Sequence, residues 1–225
     1  VKEMFDDIAL RYDFLNRFLS AGIDVGWRKK ALAYLKDIQP QSILDVATGT
    51  GDVAIMASHL LNPKHITGID ISEGMLEIGR EKVKNAGLQQ QISLLKGDSE
   101  TISFENNSFD AVTVAFGVRN FQNLDKGLAE ILRVLKPNGK LVVLEFSKPQ
   151  TAIIKTLYNF YMKSLAPNIC KLFSKNPKAY IYLGESIQKF PEGKHFIEVM
   201  DRLGFRHTIS KPLSLGICSI YCGEK

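Results

Sequence analysis

A glycine-containing turn flanked by carboxylates carries the strongest chemical signal in this sequence. Residues 43–52 read Ile-Leu-Asp-Val-Ala-Thr-Gly-Thr-Gly-Asp. The run begins as a short apolar strand, breaks at Gly49 and Gly51, and continues into a predicted helix at 53–61. Glycines let a ligand approach the backbone closely, and a helix start adds N–H donors and partial positive charge. The pattern therefore predicts a nucleotide-sized binding site.

Two carboxylates argue against a plain dinucleotide site here. Asp45 lies in the predicted strand, where a carboxylate suits a cationic group such as the amino group of a methionine moiety. Asp52 lies at the predicted helix start, where it would repel a pyrophosphate. We therefore favour a zwitterionic, sulfonium-bearing ligand, S-adenosylmethionine. A nicotinamide or flavin nucleotide stays open, because Gly49-x-Gly51-x-x-Ala54 also satisfies the loose dinucleotide fingerprint, and so does a structural turn.

Alternating strand and helix signals place this turn inside an α/β sheet. Apolar runs predict strands at 42–47, 65–71, 91–96, 109–116 and 140–146, with amphipathic helices between them. Further helices are predicted at 1–19, 27–35 and 192–203, and two antiparallel final strands at 205–210 and 213–221, joined by Lys211 and Pro212. This β-α-β rhythm implies a doubly wound, mostly parallel sheet in one domain over residues 1–225. We expect 1–40 to form an N-terminal helical cap and 150–190 a helical insertion that serves as a substrate lid.

Polar residues follow four of the predicted strands, at the edge where open α/β sheets bind ligands. Asp70 ends the second strand about twenty residues after the glycines, where an acid can accept from ribose hydroxyls. Asp98 and Ser99 follow the third strand, where a carboxylate can accept from an adenine amino group. Each of these residues alone could have a purely structural role as a helix cap or turn residue, but their joint placement at the strand ends favours a ligand-binding site. The predicted cofactor-binding residues are Asp45, Gly49, Thr50, Gly51, Asp70, Ile71, Met75, Asp98, Ser99, Ala115 and Phe116.

Composition narrows the class of protein. The hydrophobic fraction of 45% and the charged fraction of 24% are ordinary for a globular protein, and no apolar run reaches the length of a membrane span. Three cysteines, an odd number, argue against a disulfide framework and for a reducing compartment. The net charge of +5 is concentrated at 147–190, where seven lysines accompany one acid, so this segment predicts contact with an anionic surface, lipid or nucleic acid. Because the chain begins at Val1 rather than Met, we expect residues upstream of it in the full protein.

Four groups of motifs resemble those of a known family. They are the N-terminal run 4–28, Phe116-Gly117-x-Arg119-Asn120, Arg133-Val134-Leu135-Lys136-Pro137-x-Gly139 with Leu144-Glu145-Phe146-Ser147-x-Pro149, and Tyr180-x-Tyr182-Leu183 with Ser186-Ile187 and Phe190-Pro191. Over essentially the whole chain they are similar to the ubiquinone/menaquinone biosynthesis C-methyltransferase family. That family belongs to the class I S-adenosylmethionine-dependent methyltransferases.

The resemblance implies a fold, a cofactor and a reaction. The fold would be a Rossmann-like, doubly wound α/β sheet of strand order 3-2-1-4-5-7-6, with the last strand antiparallel. The cofactor would be S-adenosyl-L-methionine, and we predict no metal site. The reaction would be C-methylation of a polyprenylated hydroquinone, from demethylmenaquinol to menaquinol, with ubiquinone synthesis as a second pathway. Another small aromatic or lipid acceptor is the alternative.

Catalysis requires that a ring hydroxyl lose its proton, because only the phenolate makes the neighbouring ring carbon a good nucleophile. We predict that Arg119 stabilises this developing phenolate and that Asn120 and Tyr12 orient the ring. No general base is identified, since an arginine is a poor base at its ordinary pKa. The insertion would contact the prenyl tail.

The same reasoning gives expectations for partners and location. We expect a cytoplasmic protein, peripheral at the inner face of the cytoplasmic membrane, whose lysines meet anionic headgroups. A nucleic-acid partner is not expected, because the segment 116–120 after the fourth strand lacks the Asp/Asn-Pro-Pro-aromatic sequence of amino-methylating enzymes. A nicotinamide oxidoreductase would need a further substrate domain, and a non-catalytic binding protein would not need intact acceptor motifs. The oligomeric state stays open, with a homodimer as one candidate.

Overall fold

Seven strands in the described part of the chain form one sheet. The structure is a computed structural model that describes residues 17, 20, 22–149, 151, 156 and 178–225. The strands are β1 (Ser42–Val46), β2 (His65–Asp70), β3 (Ile92–Lys96), β4 (Phe109–Ala115), β5 (Leu135–Phe146), β6 (Arg206–Leu213) and β7 (Cys218–Glu224). Their order, β3-β2-β1-β4-β5-β7-β6, confirms the predicted order. Strands β1 to β5 pair in parallel, and β7 is antiparallel to both β5 and β6.

Helices cover both faces of this sheet. The described helices are α1 (Ile23–Ala33), α2 (Asp52–Leu61), α3 (Glu73–Asn85), α4 (Leu124–Val134), α5 (Lys178–Lys189) and α6 (Lys194–Leu203). Ser72 begins α3 by accepting a hydrogen bond from the Met75 backbone N–H at 3.2 Å, and Asn123 begins α4 in the same way. Apart from residue 17, the predicted helix at 1–19 lies outside the described residues, and so does most of the predicted insertion at 150–190.

Two apolar clusters hold the helices to the sheet, one on each face. On one face Leu32 of α1 and Ala54 of α2 pack with Ile43 of β1. On the other face Ile131 of α4 and Phe196 of α6 pack with strand residues such as Leu44 and Tyr221. Alternate residues of β1 therefore point to opposite faces and both sets are buried, as is usual when helices cover both sides of a parallel sheet. This burial fixes the strand ends that carry the predicted site.

The C-terminal strands differ from the sequence expectation. Lys211 and Pro212, predicted as the joint between the last two strands, lie within β6, and the short helical turn Ser214–Gly216 makes the connection instead. Proline is tolerated there because β6 is an edge strand and needs backbone N–H donors on one side only.

The start of β5 also differs. The strand begins at Leu135, directly after α4, and not at residue 140 as predicted. Its register with β4 shifts between Phe109 and Ala111, so that residues 137–139 form an irregularity within the strand. The start of β5 lies at the edge of the sheet opposite the predicted site, because Leu135 pairs with Phe109 at the start of β4. The β6–β7 connection lies at the same edge as the site, because Cys218 pairs with Phe146 at the carboxyl end of β5.

Candidate active site

A cavity of about 440 Å³ opens at the carboxyl ends of β1, β2, β3 and β4. Its volume lies in the usual range of small-molecule sites. The predicted cofactor-binding residues that line it are Gly49, Asp70, Ile71, Met75, Asp98, Ser99, Ala115 and Phe116, and the predicted catalytic residues Arg119 and Asn120 line it too. Asp45 and Thr50 instead line a smaller cavity of about 30 Å³ beside it. Gly51 is the N-cap residue of α2.

The glycine turn at the end of β1 depends on left-handed backbone angles and on hydrogen bonds to Asp70. Gly49 and Gly51 have φ angles of 55° and 76°, in the left-handed region that favours glycine. Asp70 stabilises the turn, because its Oδ2 accepts from the Gly49 N–H at 2.8 Å while its Oδ1 accepts from the Ser72 N–H at 2.9 Å. The carboxylate of Asp70 is thus fixed between the glycine turn and the start of α3, on the lining of the larger cavity.

Asp45 is a buried carboxylate beneath this turn. Its Oδ2 accepts from the Thr48 hydroxyl and its Oδ1 from the Thr113 hydroxyl, both at 2.6 Å. Burial raises the pKa of Asp45 to about 6, and the two hydroxyl donors, which favour the ionised form, only partly oppose that effect. The structure therefore places Asp45 behind the turn, where two hydroxyls already contact it.

Cations surround Asp52 at the start of α2. Its carboxylate pairs with Lys82, lies 3.3 Å from Arg17 Nη2 and lies 3.7 Å from Arg28 Nη1. Burial alone would raise the pKa of Asp52, but these cations outweigh burial and hold the pKa below its ordinary value. The sequence argument that Asp52 would repel a pyrophosphate is weakened by this finding, because neighbouring positive charge compensates the carboxylate.

The part of the cavity lining that carries the predicted catalytic residues contains a buried ion pair. Arg119 Nη1 donates to Glu145 Oε1 and to the Phe116 carbonyl, each at 2.5 Å, and both charged side chains are almost fully buried. The guanidinium carbon of Arg119 lies 5.5 Å from the Phe146 ring centroid, a cation–π distance. Arg119 Nε has no hydrogen-bond partner in the described part of the chain. Arg119 therefore brings directed N–H groups to the cavity, with its charge largely balanced by Glu145.

Asn120 contacts a residue from a distant helix. Tyr182, in α5, donates its hydroxyl hydrogen to Asn120 Oδ1 at 3.1 Å and also lines the cavity. Burial raises the pKa of Tyr182, while the nearby positive charge of Arg119 acts in the opposite direction. Helix α5 therefore closes one side of the cavity and fixes the orientation of the Asn120 amide.

One predicted site residue lies outside the described part of the chain, and three residues at or beside the two cavities were not predicted. Tyr12 lies outside the described residues. Tyr182, Glu145 and Arg28 were each part of a quoted motif, yet the sequence reasoning gave them no role at the site. Their place in a family motif was the signal available, because apolar periodicity carries no information about such polar contacts.

Comparison with known proteins identifies the family. Residues 1–225 match the ubiE/COQ5 methyltransferase family. A demethylmenaquinone methyltransferase of Bacteroides fragilis is 50% identical over 100% of this chain and 92% of its own, and a ubiquinone/menaquinone biosynthesis C-methyltransferase of Geotalea daltonii is 46% identical over 100% and 96%. Among solved structures, an S-adenosylmethionine-dependent methyltransferase of Aquifex aeolicus aligns with a TM-score of 0.58 at 20% identity, over 82% of this chain and 81% of its own, which supports the fold. The chain belongs to the ubiE/COQ5 methyltransferase family and is an S-adenosylmethionine-dependent methyltransferase.

Proposed function

We propose that this protein methylates a ring carbon of a polyprenylated hydroquinone, converting demethylmenaquinol to menaquinol. The observation that carries the proposal is that residues predicted for the methyl donor and residues predicted for the acceptor line one cavity. Similarity to a demethylmenaquinone methyltransferase at 50% identity supports the naphthoquinol acceptor, and a relative at 46% identity that is named for both pathways makes the benzoquinol precursor of ubiquinone the second candidate.

The lining of the cavity fits S-adenosylmethionine. We assign the Asp70 carboxylate to the ribose hydroxyls, and Asp98 with Ser99 to the adenine edge, while Ile71 and Met75 supply apolar surface for the ring. The glycine turn would leave room for the methionine moiety. When bound, this donor supplies an electrophilic methyl group on a positively charged sulfur atom, which retains the electron pair of the broken carbon–sulfur bond.

The chain's own residues would activate and orient the acceptor. We assign Arg119 to the acceptor oxygen, where its N–H groups would stabilise negative charge as the hydroxyl loses its proton. The Asn120 amide, oriented by Tyr182, would hold the ring in line with the methyl group, and Tyr12 is assigned to the same task. Phe116 and Phe121 would exclude water from the reacting atoms.

Single-turnover methyl transfer at saturating donor tests the role of Arg119. We expect Arg119→Met to lower the rate by roughly 10²-fold, the usual effect of removing one donor to a developing oxyanion. Arg119→Lys keeps a charge beside Glu145 and should lose less. Arg80→Met, which removes a half-exposed arginine of α3, is the matched control and should react normally. A normal rate for Arg119→Met would remove this residue from the mechanism.

The quinone pool of cells that lack this protein tests the substrate. Mass spectrometry of extracted quinones should show accumulated demethylmenaquinone and loss of menaquinone, and restoring the gene should reverse both changes. Accumulation of an undermethylated benzoquinone alone would move the assignment to the ubiquinone pathway. An unchanged quinone pool would contradict the proposed function.

Peripheral contact with an anionic membrane is a second part of the proposal. The support is the basic, aromatic composition of 147–190, together with the position of α5 at the cavity, where a prenyl tail would enter. Within the described ranges, no helix has both the length and the apolar character needed to cross a membrane. Flotation with vesicles should show binding that grows with anionic lipid content and weakens with salt. Equal recovery with neutral and anionic vesicles would contradict it.

A further inference from the structure

A buried arginine beside the glycine turn has no role in the reaction described so far. Arg28 lies in α1 and is 7% exposed. Its Nη1 pairs with Asp24 and lies 3.7 Å from Asp52. Its Nε has no hydrogen-bond partner among the described residues. Because a buried N–H without an acceptor is costly, Arg28 is a candidate to receive an acceptor from a ligand.

Space for such an acceptor exists next to Arg28. This residue lines the smaller cavity of about 30 Å³, which has room for one or two water-sized groups. The smaller cavity shares four lining residues with the larger one: Ala47, Gly49, Ala115 and Phe116. The two cavities therefore adjoin at the glycine turn, and one ligand could reach both.

The unpartnered Nε–H of Arg28, rather than an excess of positive charge, favours an anionic ligand group. Asp24 already pairs with Nη1 of Arg28, and Asp52 is shared with Arg17 and Lys82, so the donor left without an acceptor among the described residues is Nε. A guanidinium also matches a carboxylate geometrically, because it offers parallel N–H donors in a rigid fork. A neutral or cationic ligand group would gain much less at this position.

The order of the strands indicates which part of the donor reaches Arg28. The residues assigned to adenine and ribose follow β3 and β2, at one end of the β3-β2-β1-β4 series. The remainder of the donor would then extend over β1 towards β4. Helix α1 lies on that side, where the Trp27 ring centroid is 6.4 Å from that of Phe116, the residue after β4. The only carboxylate of S-adenosylmethionine is at the methionine end, which is the part that extends this way.

We infer that Arg28 binds the carboxylate of the donor's methionine moiety. This inference rests on the proposed donor-binding roles of the residues after β2 and β3. It assigns α1 to the cofactor site, so that donor binding draws on the segment before the first strand as well as on the strand ends.

Calorimetric titration with two ligands tests the inference. Wild-type protein should bind S-adenosylmethionine roughly 10- to 100-fold more tightly than decarboxylated S-adenosylmethionine, because one charge-assisted contact is lost. In Arg28→Gln, affinity for the intact donor should fall by that factor, and affinity for the decarboxylated ligand should stay unchanged. Lys30→Gln removes an exposed cation from the same helix and should keep the wild-type ratio.

A paired variant protects the test against misfolding. Asp24→Asn with Arg28→Gln removes one cation and one carboxylate together, so the local charge balance is kept. Circular dichroism would confirm its fold, and the loss of discrimination between the two ligands should persist. The inference is overturned if the variants weaken both ligands equally or keep the wild-type ratio. If wild-type protein binds neither ligand, the proposed donor site itself is contradicted.

Discussion

Asp45 is a carboxylate that the fold holds away from water beneath the glycine turn. Two threonine hydroxyls donate to it, one from the turn and one from β4, so the side chain joins neighbouring strands as well as facing the smaller cavity. Ionising a buried carboxyl costs free energy that these hydrogen bonds only partly return. The protonation state of Asp45, which contacts the turn through Thr48, therefore makes the stability of the folded protein depend on pH.

Replacing Asp45 by Asn should change how stability depends on pH. The native pKa of about 6 lies above the reference value of 3.8, so between about pH 4 and pH 6 the folded protein holds a proton that the unfolded chain has released. The contribution of Asp45 to the free energy of unfolding therefore falls as pH rises through this window, by about 3 kcal/mol in total. Above this window the contribution is constant. Urea unfolding of both proteins at about pH 4.5 and pH 7 should show wild type losing stability relative to Asp45→Asn at the higher pH. An equal difference in the free energy of unfolding between the two proteins at both pH values would contradict a raised pKa of Asp45 in the folded state.

Removing Glu145 should destabilise the protein strongly. Glu145→Gln would leave the buried Arg119 guanidinium without its carboxylate, a change that typically costs about 3–5 kcal/mol. Urea unfolding measures this loss directly. Glu198→Gln, which removes an exposed carboxylate from a surface pair with Lys194, should cost less than about 1 kcal/mol. Similar effects of the two substitutions would show that the buried pair is unimportant.

At the scale of secondary-structure elements, helix α3 supports the glycine turn through a close contact at Gly79. A Cβ on Gly79 would lie 2.7 Å from Leu94 Cδ1 and about 3.1 Å from the backbone carbonyl carbon of Thr50. A side chain at Gly79 would thus push the helix away from the turn. The packing of α3 against β3 and the turn therefore sets the position of the loop that would hold the donor.

Gly79→Ala should weaken both folding and donor binding. We expect a loss of about 1–3 kcal/mol in the free energy of unfolding, typical of overpacking, and a higher Kd for S-adenosylhomocysteine because Thr50 must shift. Gly26→Ala is the matched control, since a Cβ there meets nothing within 4 Å in the exposed part of α1. It should stabilise the protein by up to about 1 kcal/mol without changing Kd. Normal binding by Gly79→Ala would contradict the role given to α3.

Helix α5 should act on the acceptor and not on the donor. Tyr182→Phe removes the hydroxyl that orients Asn120, so we expect the KM for the quinol to rise roughly 2- to 10-fold while the Kd for S-adenosylhomocysteine stays unchanged. Tyr221→Phe removes a buried hydroxyl that accepts from the Gly193 N–H and does not line the cavity, and it should lower stability without changing KM. Steady-state kinetics and calorimetry separate these outcomes. A changed donor Kd in Tyr182→Phe would refute the assignment.

At the scale of the whole molecule, the sheet and its binding edge could be predicted, but the polar pairs could not. Local apolar periodicity and glycine punctuation locate strands, and the strand ends of an open α/β sheet then locate the cavity. The pairs Arg119–Glu145 and Asn120–Tyr182 join residues 26 and 62 positions apart in the chain. No local pattern encodes such contacts, because they exist only after the sheet has brought the elements together.

The transfer of a labelled methyl group is the most direct measurement of the proposed ring methylation. Purified protein would be incubated with S-adenosylmethionine carrying a deuterated methyl group and with demethylmenaquinol, and the extracted quinone would be measured by mass spectrometry. We expect menaquinol that carries the intact deuterated methyl group on a ring carbon, with one S-adenosylhomocysteine formed for each product molecule. Unlabelled quinol together with intact donor, or a label on the ring oxygen instead of the ring carbon, would contradict it.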